Sequence, residues 1–381
     1  MLALPKLSLY IHIPWCVQKC PYCDFNSHAQ KSDIPEQAYI SALLADLDDE
    51  LALVQGRALH SIFIGGGTPS LLSAQAIARL LDGVSARFIC ERDMEVTMEA
   101  NPGTAEAARF AGYFAAGVNR LSLGIQSFDD AQLTRLGRIH DSRQAIAAAE
   151  MARQAGFERL NLDLMHGLPY QNAQQAQADL AQAIALEPTH ISWYQLTIEA
   201  NTAFASKPPP LPDEDRLWDI ETAGKARLAD HGYQQYEVSA YGLGDDRARH
   251  NLNYWRFGDY IGIGCGAHGK LTDLTQNSLK RRVKVKHPKG YLEKDRNKLD
   301  QSWEIATSER PFEYFLNRLR LYEAIPKAEF RALTDQPLSL VEPAIQRAQQ
   351  LGLMSNTTDH WQVSAHGRLF LNDLLDLFLV E

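Results

Sequence analysis

The chain has 381 residues, 45% of them apolar and 22% charged, with a formal net charge of −9 at pH 7. This is the composition of an ordinary globular protein of about two to three domains, which excludes a disordered chain, and the acidic balance excludes general nucleic-acid binding, which needs clustered Lys and Arg. No apolar run approaches the roughly 18 residues of a membrane span, so a cytoplasmic protein is expected, with its five cysteines serving metal or catalysis rather than disulfides.

The first apolar strand-like run is Leu7–Ile13, and Cys16, Cys20 and Cys23 follow it as C-x-x-x-C-x-x-C. Three thiolates so closely spaced suit a 4Fe–4S cluster held at three irons, with the fourth left open to a ligand. Spacing alone leaves two other readings: a Cys3His zinc site recruiting His12 or His28, and a chance grouping of buried cysteines. Pro21-Tyr22 shapes a tight loop, and Trp15 and Phe25 flank it, placed to shield a cluster from water.

Strand-like runs continue at Ser61–Ile64, Glu95–Met98, Arg120–Ile125, Leu160–Leu164 and His190–Leu196. Helical patterns such as Pro35–Val54, Arg143–Ala155 and Asn172–Ala185 separate them. Repeated βα units predict a parallel sheet with helices outside. The simplest closure is a partial TIM-like (βα)6 barrel with its site at the C-terminal ends of the strands. The chemistry-bearing residues fall there. Gly65-Gly66-Gly67-Thr68-Pro69 follows the second strand, Glu99 the third and Gln126 the fourth, and Asp163 lies near the end of the fifth. A ligand chelating an open iron needs an amine and a carboxylate, and the methionine end of S-adenosylmethionine has both. Gly66 and Gly67 would let backbone groups approach that end. Glu99 and Asp163 would accept hydrogen bonds from ribose hydroxyls or the amine, Arg138 would pair with the carboxylate, and Gln126 would orient either end.

Lys207–Pro212 is a stiff, proline-rich linker. Beyond it come a helix around Asp213–His231, strand-like runs at Tyr236–Tyr241 and Tyr260–Gly264, and the hexapeptide His250-Asn251-Leu252-Asn253-Tyr254-Trp255. The segment Lys280–Lys286 reads either as an edge strand protected by its lysines or as a docking patch for propionates or an anionic membrane surface. The tail predicts helices at Phe312–Ala324, Lys327–Leu333 and Leu338–Leu351, a hairpin over Leu353–Val363 and a last helix, Gly367–Leu379. This is a winged-helix-like pattern, but residues 311–381 hold six Lys/Arg against nine Asp/Glu, so a packing or lid domain is expected rather than a DNA reader. The expected division is 1–206 for the barrel, 207–309 for the linker and an extension, and 310–381 for the smaller, mostly helical C-terminal domain.

Tyr10-Ile11-His12-Ile13-Pro14-Trp15-Cys16 running into Cys20-Pro21-Tyr22-Cys23 resembles the opening of the radical S-adenosylmethionine enzymes. Within them it is similar to the oxygen-independent coproporphyrinogen III oxidase group. The likeness continues through the Gly65–Pro69 turn, Glu99, Gly124-Ile125-Gln126-Ser127-Phe128, Arg138 and Asn161-Leu162-Asp163-Leu164, and it extends over essentially the whole chain. It implies that Cys16, Cys20 and Cys23 bind the cluster. It also implies that Tyr10, Gly66, Gly67, Thr68, Glu99, Gln126, Arg138 and Asp163 contact S-adenosylmethionine, while Tyr22 covers the cluster beside the adenine. The oxidases carry a further cysteine two residues after the third, where this chain has Phe25, and that departure speaks against porphyrinogen decarboxylation.

His250–Trp255 resembles the H-N-x-x-Y-W signature of the heme chaperone branch of that group. This implies heme as a third cofactor, with His250 as candidate iron ligand and Tyr254 and Trp255 stacking on the macrocycle. The plain alternative is a core histidine beside aromatic rings. Cys265 and His268 are reserve ligand candidates. The resemblance further implies transfer of heme to acceptor proteins, some in membranes, a homodimer, and a peripheral contact at the inner face of the membrane, with Lys280–Lys286 as the candidate surface. No catalytic residue and no nucleic-acid partner are expected. The alternatives are a coproporphyrinogen oxidase and a zinc-stabilised binding module.

Overall fold

The computed structural model describes residues 1–103 and 107–379. Twelve strands form one sheet: β1 (Leu7–Ile13), β2 (Leu59–Gly66), β3 (Cys90–Ala100), β4 (Arg120–Gln126), β5 (Arg159–His166), β6 (His190–Gln195), β7 (Tyr233–Glu237), β8 (Ala240–Leu243), β9 (Asp259–Gly264), β10 (His268–Asp273), β11 (Ser278–Lys284) and β12 (Leu299–Glu304). Their lateral order is β12-β11-β10-β9-β1-β2-β3-β4-β5-β6-β8-β7. Every neighbouring pair from β9 to β6 is parallel, and both flanks are antiparallel. The six βα units read from the sequence form the partial TIM-like barrel, and β9 adds a seventh parallel strand on the far side of β1.

Helices α1 (Glu36–Glu50), α2 (Ala74–Ser85), α3 (Ser142–Gln154), α4 (Ala173–Ala185) and α5 (Glu214–Asp230) follow β1, β2, β4, β5 and β6. Asp141 with Gln144 and Asn172 with Gln175 start α3 and α4 as reciprocal capping boxes, so each of these helices begins where its sequence satisfies the free N–H groups. Strand parity then sorts the side chains. Leu7, Leu9, Ile11 and Ile13 of β1, with Ile62, Ile64, Val96, Met98, Leu121, Leu123, Leu160 and Leu162 of the next strands, enter the main apolar core. The alternate positions face the barrel interior, and they are largely polar: Ser8, Tyr10 and His12, then Ser61, Glu95, Glu99, Arg120, Asn161, Asp163 and His190.

That interior is closed at the N-terminal end of the strands by charge. Glu95 is fully buried and meets Arg159 at 2.8 Å, while Arg120 and Arg159 reach Asp246 at 2.8 and 2.6 Å. Glu95 also accepts the backbone N–H groups of Arg249 and His250, at the start of helix α6 (Arg249–Trp255). Despite the burial, its carboxyl is held below the usual range by Arg120, Arg159 and those N–H donors.

Two readings of the sequence need correction. Tyr236–Tyr241 is not one strand but the turn of a hairpin, with β7 and β8 antiparallel around it, since Ser239 and its neighbours reverse the chain. The Lys280–Lys286 segment lies mainly on β11, which is an inner strand between β10 and β12, so β12 is the edge. Nor is it an open cationic face. Lys284 is buried against Asp46 and Glu50, Arg282 meets Glu50, Arg281 meets Glu313, and Lys280 meets Asp273. Its alternation matches cations to carboxylates on both faces of the strand.

Residues beyond the sheet form α7 (Arg310–Arg318), α8 (Lys327–Thr334) and α9 (Glu342–Gln350) with a three-stranded sheet of Ile325–Pro326, His360–Val363 and Met354–Asn356. Their core joins Tyr314, Phe315, Phe330, Trp361 and Phe378, and it also takes in Leu2, Phe257, Leu279 and Ile305 from the barrel side. Among the described residues no helix is long and apolar enough to cross a membrane.

Candidate functional site

One cavity of about 530 Å³ opens at the C-terminal ends of the parallel strands. Its wall includes Cys16, Cys20, Cys23, Tyr22, Gly66, Gly67, Thr68, Glu99, Gln126, Arg138 and Asp163. The C-terminal ends of five strands and the loops that follow them therefore bring these predicted residues together, as a parallel barrel does for groups distant in sequence. Two predicted residues are elsewhere. Tyr10 is beneath the cavity, where its hydroxyl meets His12 Nδ1 at 2.9 Å. His250 is buried at the opposite end of the barrel, with Nδ1 3.2 Å from Ser61 Oγ and its titration pushed down to about 4 by burial.

The three thiols fit a cluster better than a single ion. Burial pushes the Cys16 and Cys23 thiols up, and the neighbouring thiols add to the effect by their charge. Against this, Thr68 and Ser27 are placed to bond Cys16, Ser27 and the Phe25 backbone to bond Cys23, and Arg138 Nη1 reaches Cys20 Sγ at 3.5 Å. Such donors favour thiolates. Among the described residues no three His, Cys, Asp or Glu side chains converge as one metal ion requires. Nor is His12 free to complete a zinc site, because Tyr10 Oη holds Nδ1 and Asn26 O holds Nε2 at 2.9 Å each. Neither His12 nor His28 lines the cavity.

The glycine turn behaves differently from its sequence reading. Gly66 N–H donates to Glu99 Oε2 at 3.1 Å, and the N–H groups of Gly67 and Thr68 donate to Ile13 O and Trp15 O at 2.7 Å. All three donors are taken inside the protein, so a ligand carboxylate finds none there. The glycines are required by what lies beneath: a Cβ on Gly66, whose φ is +113°, would sit 2.5 Å from His12 Cε1, and one on Gly67 2.5 Å from Trp15 O. Arg138 brings a guanidinium to the cavity wall. Its Nη2 donates to Asn101 Oδ1 and Gly124 O, while its buried Nε has no acceptor among the described residues. An anion in the cavity would satisfy that orphaned donor.

Cationic and hydroxyl groups of a ligand have Glu99 and Asp163. Burial and the neighbouring Asp163 charge push the Glu99 carboxyl up to about 8, and burial also raises Asp163. Asp163 is oriented by Ser122 Oγ at 2.7 Å and Asn161 Nδ2 at 2.8 Å, and Asn161 Oδ1 is fixed in turn by His190 Nδ1 at 2.6 Å. Two carboxyl groups that oppose each other's ionisation are a ready counter-charge for an ammonium or sulfonium.

Several lining residues escaped the sequence reading: Met165, Tyr194, Thr197 and Glu199. Tyr194 donates to Gln126 Oε1 at 2.6 Å and so aims the amide that the sequence assigned to the ligand, whose backbone is held at φ +72°. Inward parity near the end of β6 could have found it; Thr197 and Glu199 follow the strand in a loop, where no periodicity applies. Cys265, far from the triplet in sequence, lies beside the loop that follows it, since Asn26 Nδ2 donates to Cys265 O at 2.9 Å.

The Radical SAM superfamily pattern matches residues 10–183, and the HemN C-terminal domain pattern matches residues 305–370. The chain is 55% identical over 381 residues to the heme chaperone HemW of Escherichia coli, covering all of both chains. It is 57% identical to the heme chaperone HemW of Haemophilus influenzae, with 99% of each covered, and 32% identical to that of Bacillus subtilis, with 98% of this chain and 99% of the other covered. Among solved structures it resembles the coproporphyrinogen III oxidase HemN of Escherichia coli, a radical SAM enzyme, with a TM-score of 0.81 at 24% identity over 98% of this chain and 90% of that one. The last likeness bears on the fold.

Proposed function

The chain belongs to the HemW family within the radical SAM superfamily, and from that premise we propose that it is a heme chaperone. It binds heme and passes it to acceptor proteins, and it carries a 4Fe–4S cluster on Cys16, Cys20 and Cys23 with an exchangeable S-adenosylmethionine. The observation that carries this reading is full-length identity of 55% to a relative named as a heme chaperone.

The residues divide the work by charge. The thiols hold the cluster at three irons, and Arg138, through its unpartnered Nε, holds the carboxylate of S-adenosylmethionine. Glu99 and Asp163 meet its amine and ribose, and Gln126, aimed by Tyr194, orients the nucleoside. When bound, a reduced cluster can supply an electron to the sulfonium of that cofactor. Phe25, 57% exposed on the cavity rim, stands where the oxidases have their further cysteine and gives the site no fourth loop thiol. Heme contact at α6 is part of the proposal, with the half-buried rings of Tyr254 and Trp255, T-shaped to each other at 4.7 Å, as its aromatic contacts. Work in the cytoplasm, delivery to membrane-bound acceptors and a homodimer complete it.

The test is anaerobic reconstitution followed by heme titration and coproporphyrinogen III turnover on one sample. Stoichiometric heme binding, transfer to a heme-free acceptor and no turnover are expected. Decarboxylation with a reductant and S-adenosylmethionine, without heme binding, would return the chain to the oxidases.

A further inference from the structure

Four rings stand in one column through the barrel interior, from its floor to the cysteine loop. At the foot, His250 lies 5.2 Å from Phe63, centroid to centroid. Phe63 lies 6.2 Å from Tyr10 with 24° between the planes, and Tyr10 lies 5.9 Å from His12. The upper end is hydrogen-bonded as well as packed. A ring nitrogen that faces a carbonyl must carry the proton, so His12 Nε2–H donates to Asn26 O, and Nδ1 accepts from the Tyr10 hydroxyl.

The top of this column touches both parts of the candidate site. Asn26 is three residues beyond Cys23, and its side chain ties the loop to Cys265 O and Lys286 O at 2.9 Å each. The His12 ring is also the surface on which Gly66 rests, where a Cβ would collide. Phe63 lies directly under the neighbouring Gly65, whose Cβ would come within 2.7 Å of its ring. The height of the rings therefore sets the height of the cysteine loop and of the glycine turn together.

The foot is anchored from below. Glu95 caps the N–H of His250, Ser61 Oγ faces Nδ1, and Ser61 is joined through Ser8, at 2.7 Å, to Asn253 Nδ2. These contacts hold α6 against the barrel floor with the imidazole turned inward, away from solvent. Interiors are close-packed, so removing a ring at the foot leaves a void into which the rings above settle only in part.

We propose that His250 is a positioning residue: as the foot of the His250–Phe63–Tyr10–His12 column it holds the cysteine loop and the Gly66 turn in register, and it is not the ligand of heme iron. The inference rests on the reading that Cys16, Cys20 and Cys23 carry the cluster. It accounts for a signature histidine lying at the opposite end of the barrel from those thiols.

The test compares the full-length reconstituted chain with His250→Ala, His250→Phe and Phe63→Leu, each checked for folding by thermal unfolding. The readouts are the rate of iron loss to a chelator and heme stoichiometry. His250→Ala and Phe63→Leu are expected to speed iron loss roughly tenfold by loosening the loop locally. His250→Phe, which restores a ring but has no nitrogen, is expected to return the rate to near that of the parent and to bind heme normally. Loss of heme binding in both His250 variants with unchanged iron loss would overturn the column and make His250 the ligand. Maleimide labelling of the loop thiols before reconstitution reads the column without the cluster, and faster labelling in His250→Ala and Phe63→Leu is expected. Equal labelling in all four chains overturns the column, whereas a parent chain that takes up no iron sinks the cluster reading instead.

Discussion

Arg138 reaches across the cavity to Cys20: its Nη1 lies 3.5 Å from the sulfur while Nη2 donates to Asn101 Oδ1 and Gly124 O at 2.7 Å each. One guanidinium thus ties the cysteine loop to the ends of β3 and β4, and its buried Nε has no acceptor among the described residues. Arg138→Lys keeps the charge but not the planar fork. S-adenosylmethionine affinity, read by equilibrium dialysis, is expected to fall roughly 10- to 100-fold in Arg138→Lys, with iron content retained. Unchanged affinity would show that the carboxylate binds elsewhere.

Glu99 should make the ligand-free chain less stable as pH rises. Its carboxyl is displaced upward to about 8 in the fold, chiefly by burial, so the native state holds a proton that the unfolded chain, at the ordinary value of 4.5, releases. Stability attached to this group is therefore full below about pH 4.5 and lost progressively up to about pH 8. Glu99→Gln is expected to flatten that decline, with a ceiling on the gain of about 5 kcal/mol at pH 8. Urea titrations at pH 6 and pH 8 measure it, and a parallel decline in both chains would remove Glu99 as the cause.

Substituting any of Cys16, Cys20 or Cys23 by Ser should abolish bound iron and sulfide. Cys265→Ser should not, although Cys265 lies beside the loop. Its Sγ donates to Lys286 O at 2.7 Å, burial pushes its thiol up to about 12, and it is not among the residues of the cavity wall. Iron and acid-labile sulfide per chain decide this, and loss of both in Cys265→Ser would place a fourth thiol in the site.

Lys284 is expected to act on stability alone. It is buried with Asp46 and Glu50, and truncation leaves Asp46 without its cation and Glu50 with Arg282 alone. Lys284→Ala should cost about 3–5 kcal/mol in urea unfolding. Binding to anionic vesicles, corrected for the folded fraction, should not change; a drop in the folded chain would reopen the membrane role of this strand.

Much of the site was legible because parallel barrels place function at strand ends. Cys16, Gly66, Glu99 and Gln126 could each be assigned to the site from a neighbouring hydrophobic run. Tyr10 could not be separated from them, since motif membership does not say whether a side chain faces the cavity or the layer below. The pairing of Lys284 with Asp46 and Glu50 was hidden because partners 238 and 234 positions apart leave no local signal. Tyr236–Tyr241 misled for the opposite reason: its run of strand-forming residues conceals a tight reversal.

What the sequence determined by itself is the class of fold, the alternation of strand and helix, the thiol triplet and the family signatures, all of which depend on short-range spacing and residue chemistry. What tertiary structure decided is which groups share one space. Only closure of the sheet sets Glu99 against Asp163, turns the N–H groups of the glycine turn inward, and puts the cysteine loop at one end of the barrel and His250 at the other. Those outcomes follow from burial and long-range packing, whose energies depend on neighbours that local sequence does not contain.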